Sequence, residues 1–130
     1  MEIKPNYVTF EQAKLLKEKG LVVKSDRYWV KMTEDSYTDM TDWRLEDLDS
    51  DIGIGGNLVI TKYQQWQVVE FLRINYGIWV GVTMYINHDG RFYSANIQNN
   101  DNKHQSFNGH KSPQEAYSAA FDHILNNNLI

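Results

Sequence analysis

Asp47, Asp49 and Asp51 stand at alternate positions, the one-three-five spacing that opens a calcium loop and turns alternate side chains toward one ion. The sixth position of such a loop needs glycine and the twelfth a bidentate glutamate. Here they are Ile52 and Leu58, and no helix pattern flanks them. The three aspartates therefore read as part of a solvated acidic stretch, and no metal is expected there. Gly53-Ile54-Gly55-Gly56 lacks the Lys-Ser/Thr of a phosphate loop and leads into the strand-like Leu58-Val59-Ile60, so its glycines read as turn residues. His104 and His110 have no third ligand at a recognisable spacing; His88 falls on a turn and His123 lies off an apolar helix stripe. The absence of cysteine removes thiolate ligands, thiol nucleophiles and disulfides together. No serine sits in a nucleophile elbow, and no compact pair of carboxylates lies on one element. With no catalytic constellation to assemble, the chain is expected to be non-enzymatic and to hold no cofactor.

What remains is binding chemistry, and two groups offer it. Trp79, Tyr85 and Phe92 fall on one side of a strand pair, an aromatic group able to anchor a protein or stack on bases unless residues 1–60 cover it, which is the preferred reading. Arg91 is the only cation in that hairpin, weak support for a phosphate backbone. The second group is the acidic segment with Trp43, Asp47, Asp49 and Asp51. Residues 34 to 51 carry eight acids against Arg44, a net of −7 in a chain whose whole charge is −4. Such a segment complements a basic partner. Residues 4 to 31, by contrast, carry seven cations against three acids.

The elements that position these groups are legible in part. Ser112-Pro113-Gln114-Glu115 forms a helix start, with Ser112 accepting from the N3 amide, Glu115 reaching back to the Ser112 amide and Pro113 at N1. Tyr117, Ala120, Phe121, Ile124 and Leu125 then make one buried stripe. Thr9 before Glu11-Gln12, with Val8 and Ala13 as a staple, starts a first helix, and Thr61 before Lys62-Tyr63-Gln64 is expected to start a central one. Gly20 and Gly77 end them. On the central helix Val68, Val69, Phe71, Leu72 and Tyr76 make a buried face that Tyr63, Trp66 and Ile74 widen.

Between the central and last helices lies a hairpin in readable register. Ile78, Val80, Val82, Met84 and Ile86 alternate with Trp79, Gly81, Thr83 and Tyr85. Pairing 84 with 93, 82 with 95 and 80 with 97 keeps both apolar rows on one side, around the turn Asn87-His88-Asp89-Gly90. A third strand near Phe107 extends the order to one superficially similar to the end of a double-stranded RNA-binding domain. The basic helix N-terminus of those domains is missing, however, because Gln114 and Glu115 occupy it. Leu21-Val22-Val23 and Tyr28-Trp29-Val30-Lys31-Met32 suggest a second short hairpin. The fold class is therefore α+β: an antiparallel sheet with helices packed mainly on one face, a helix-hairpin-helix unit over 61–126, and an N-terminal helix with short strands. One domain over 1–130 is expected, with a flexible acidic connection near 33–57.

No apolar stretch is long enough to span a bilayer, and Met1-Glu2-Ile3-Lys4-Pro5 leads into an amphipathic helix, so an intracellular chain without membrane contact is expected. Tyr7 to Gly20, Gln65-Trp66-Gln67-Val68-Val69-Glu70 with Arg73 and Gly77-Ile78-Trp79, and Ser112 to Asp122 with Ile124-Leu125-Asn126-Asn127 resemble small proteins encoded by phages and prophages of anaerobic gut bacteria. The resemblance spans the two ends and the central helix, while 33–57 and 99–110 look particular to this chain. It implies a bacterial cytoplasm as the setting and transfers no activity, cofactor or site residue. A host or phage protein is the expected partner, with nucleic acid the weaker alternative. A free edge strand would also allow two copies to pair.

Overall fold

The computed structural model describes residues 6–33, 36–41, 59–101 and 103–130, which divide into two compact units, 1–64 and 65–130. The fold class is α+β, with three helices and two three-stranded antiparallel sheets among the described residues. No helix among them is long and apolar enough to cross a membrane.

In the first unit, Thr9 caps α1 (Phe10–Glu18) through a reciprocal pair: the Gln12 amide donates to Thr9 Oγ1 at 3.2 Å and the Thr9 amide donates to Gln12 Oε1 at 3.0 Å. Gln12, Ala13 and Leu16 form its buried side, with the staple residue Val8 buried as well. The chain then forms β1 (Arg27–Thr33), β2 (Ser36–Thr41) and β3 (Val59–Thr61) in the order β2-β1-β3. Tyr7, Val8 and Leu21 are tied to the end of the unit by backbone and side chain. Tyr7 bridges Gln64, the Val8 amide donates to the Tyr63 carbonyl at 3.0 Å, and the buried Tyr63 hydroxyl donates to the Leu21 carbonyl at 2.9 Å. Two expectations change here. Thr61 ends a strand, because Tyr28 pairs with it across the ladder; the central helix starts at Gln65. Ser36–Thr41, inside the stretch read as a connection, is a strand because its backbone finds β1 as a partner.

The second unit runs α2 (Gln65–Tyr76), β4 (Trp79–Asn87), β5 (Gly90–Gln98), β6 (His104–His110) and α3 (Pro113–Asn126), with strand order β4-β5-β6. The hairpin has the register read from its alternation: Val80 opposite Ile97, Val82 opposite Ala95, Met84 opposite Tyr93. Gly90, at φ +124°, supplies the left-handed position of the turn. Both helices meet the strands, and Val68, Leu72, Ile78, Val80, Ala95, Ile97, Phe121 and Ile124 are buried. The third strand expected near Phe107 is β6, anchored by pairing with β5. At the start of α3 the Glu115 amide donates to Ser112 Oγ at 3.1 Å, while the Glu115 carboxylate reaches one residue further back than expected, accepting from the Lys111 amide at 3.0 Å.

Candidate functional surface

The two faces of the β4-β5-β6 sheet have different chemistry. On the face of the aliphatic row, Ile78 and Val80 are buried, but Met84 and Ile86 are 48% and 69% exposed. The register explains this: Tyr93, opposite Met84, pairs with His110, and α3 begins just after that residue, so Ile86 and the turn run beyond it. The opposite face holds a ladder of side-chain hydrogen bonds. Asn96 Nδ2 donates to Thr83 Oγ1 at 3.0 Å while Ser106 Oγ donates to Asn96 Oδ1 at 3.0 Å, linking all three strands. Ser94 Oγ donates to Asn108 Oδ1 at 2.6 Å alongside.

The three expected aromatic residues separate on this face. Tyr85 and Phe92 stack across the strands with centroids 5.9 Å apart; both are half-buried, and the Tyr85 hydroxyl accepts from the Gly109 amide at 2.9 Å. They behave as part of the sheet. Trp79 stands at the other end and is 57% exposed. The Arg73 guanidinium lies 5.5 Å from its ring centre and also donates to Glu70 at 2.6 Å, so two partners fix the Arg73 side chain. The Arg73 hydrogen bonds hold the Glu70 carboxyl below its usual range. Trp43, Asp47, Asp49 and Asp51 lie outside the described residues.

Three side chains expected on the buried face of α2 are exposed. Trp66 and Ile74, expected to widen that face, are 61% and 66% exposed, and Tyr76, expected within it, is 37% exposed. Helical spacing explains Trp66 and Ile74, wherever the helix begins. The buried line is Gln65, Val68 and Leu72, and at 3.6 residues per turn Trp66, Glu70, Arg73 and Ile74 share the outer side. The outer side of α2 thus leads through Arg73 to Trp79. Tryptophan outside a buried stripe was the available signal.

The first unit holds a charged cluster that packing alone explains. Asp39 accepts from Arg27 Nε at 3.0 Å and Lys62 Nζ at 2.7 Å, and Lys62 Nζ lies 5.0 Å and 5.3 Å from the ring centres of Tyr7 and Trp29. The Tyr7 hydroxyl is 2.7 Å from both Asp26 carboxylate oxygens, and Gln64 Nε2 donates to one of them at 3.2 Å. Burial pushes both carboxyls up, but Tyr7 and Gln64 at Asp26, and Lys62 and Arg27 at Asp39, hold them below the ordinary range. Carboxylates so fully engaged make poor bases, and the Tyr7 phenol, pushed up to about 12, makes a poor nucleophile. Among the described residues no three of His, Asp or Glu gather as metal ligands. No family model, curated protein or solved structure matches the chain.

Proposed function

We propose that this chain is a non-enzymatic protein-interaction module, acting on a host or phage protein in a bacterial cytoplasm. The observation that carries the reading is the exposed strip Trp66, Arg73, Ile74 and Trp79, with Arg73 held in place by Glu70 and the Trp79 ring. Tryptophan and arginine are the residue types that dominate binding energy at interfaces, and an arginine already fixed loses less side-chain freedom on docking. The setting is supported by the resemblance of the two ends and the central helix to phage-encoded proteins. The acidic segment with Trp43, Asp47, Asp49 and Asp51 adds charge complementarity to a basic partner. The test is affinity capture from bacterial lysate, with nuclease, comparing the wild type with Trp66→Ala/Trp79→Ala and with a variant neutralised over 34–51. The expected result is a stoichiometric partner that survives nuclease, is lost with the tryptophans and is weakened by neutralisation. A partner retained by both variants overturns the reading.

A second reading, a nucleic-acid-binding accessory protein using the aromatic sheet face, is favoured by the order helix, three strands, helix in residues 65–130 and by the exposed Trp79. Against it, the first turn of α3 presents Glu115, whose carboxylate occupies the Lys111 amide that a phosphate would seek. It predicts salt-sensitive binding to RNA or DNA; no binding at low salt rejects it.

A further inference from the structure

We propose that the outer edge of β4 pairs antiparallel with the same edge of a second copy of this chain, joining two three-stranded sheets into one. β4 is an edge strand in the order β4-β5-β6, and among the described residues Trp79–Asn87 make no backbone hydrogen bond beyond their own sheet. Edge strands invite further pairing, and proteins that keep them open blunt them with charge, proline, bulges or shortness. The other edges here follow that rule. β2 carries Asp39 and an irregular register, β3 has three residues, and β6 is polar with an irregularity between the Tyr93 and Ala95 pairs. β4 has none of these devices. Its nine residues, Trp-Val-Gly-Val-Thr-Met-Tyr-Ile-Asn, include no charge and no proline, and they pair with β5 without a slip.

Self-complementarity identifies the occupant. A two-fold axis through Thr83 sets Val80 opposite Ile86 of the second copy and Val82 opposite its Met84. The exposed end of the aliphatic row, Met84 at 48% and Ile86 at 69%, thereby lies beside the buried end, where Val80 is 7% exposed. Each copy extends the other's apolar row. On the opposite face Gly81 comes beside Tyr85 of the second copy, and a Cβ placed at Gly81 would meet no atom within 4 Å. A two-fold axis brings like to like, so a charged edge would repel itself; this one carries no charge to repel. An unrelated extended segment would find the backbone groups without the matched row.

The test uses the full chain, whose lack of cysteine makes single-cysteine variants unambiguous. Light scattering should give twice the 15.2 kDa chain mass for the wild type. On mild oxidation Thr83→Cys, facing its own copy across the axis, should form a covalent dimer, whereas Ser106→Cys on β6 should not. Met84→Lys/Ile86→Lys, which changes only exposed side chains, should give a monomer with an unchanged circular dichroism spectrum. A wild-type monomer at the highest soluble concentration overturns the proposal. So does a dimer indifferent to M84K/I86K, or a Thr83→Cys chain that cross-links no faster than Ser106→Cys.

Discussion

At the scale of single residues, Lys62 and Tyr7 show how one aromatic-charged cluster organises the first unit. Lys62 touches two rings and one carboxylate, so its stem and its charge are both used, as expected for a lysine lying along apolar surface. Tyr7 gives the cluster a pH dependence. Burial, then the hydrogen bond to Asp26, raises its phenol from 10.0 to about 12, so the folded chain holds this proton more tightly than the unfolded chain. The resulting stability is complete below the unfolded value of 10.0 and is lost as pH rises through about 12. Asp26 and Asp39 have the opposite sign: their contribution is present above the ordinary value of 3.8 and is lost as pH falls through their lowered folded values. Tyr7→Phe keeps the ring and removes the proton. Urea unfolding should show the wild type more stable than Tyr7→Phe at neutral pH, with the gap closing between pH 10 and about 12. A gap that stays constant over that range rejects the assignment.

At the scale of elements, the two glycines that end α1 and α2 meet the same backbone requirement. Gly20 at φ +92° and Gly77 at φ +65° both take the left-handed conformation, which costs a residue with a Cβ about 1 to 2 kcal/mol. A Cβ at Gly20 meets nothing, and at Gly77 it meets only the amide end of the exposed Asn100 side chain, which can swing aside. Gly77→Ala and Gly20→Ala should therefore destabilise alike in urea unfolding, and Asn100→Ala should not relieve Gly77→Ala. A markedly larger loss at Gly77 that Asn100→Ala removes would show that packing matters as well. These helix ends were legible in the sequence because glycine placement is local, and the hairpin register because period-two alternation and its turn agree. The start of α2 was not. Thr61 carries a capping signature, but its backbone is claimed by Tyr28, distant in sequence, and local propensity yields to that pairing. β6 was faint for the same reason, since a seven-residue strand with Phe107 as its one large apolar side chain owes its form to β5. Of the candidate surface, Trp79 was legible, whereas Trp66 and Ile74 were assigned inward because they are large and apolar, although their spacing from Val68 and Leu72 sets both on the far side of the helix.

At the scale of the whole molecule, the division into 1–64 and 65–130 makes a prediction about autonomy. Residues 65–130 contain two helices, a complete three-stranded sheet and a buried set running from Val68 to Leu125. Their connections are short: Gly77 and Ile78 lead from α2 into β4, a tight turn joins β4 to β5, and α3 follows β6 almost at once. The β5-β6 link is stapled by Asn99, whose side-chain oxygen accepts from the amides of Asp101 and Lys103 at 3.0 Å and 3.1 Å. Short closures cost little chain entropy, which favours folding of the segment by itself. Its size opposes this, because a domain this small buries only about 60% of the surface its unfolded chain exposes. Gln65, buried at the first turn of α2, donates to the Gln114 carbonyl at 3.1 Å, so the cut must leave it in place. A fragment starting at Gln65 with Met84→Lys/Ile86→Lys, which keeps the β4 edge from self-pairing, should give dispersed amide resonances and a cooperative urea transition. If that fragment is unfolded while the full chain with the same two lysines is folded, the autonomy argument fails, and the stability of the second unit depends on the segment removed.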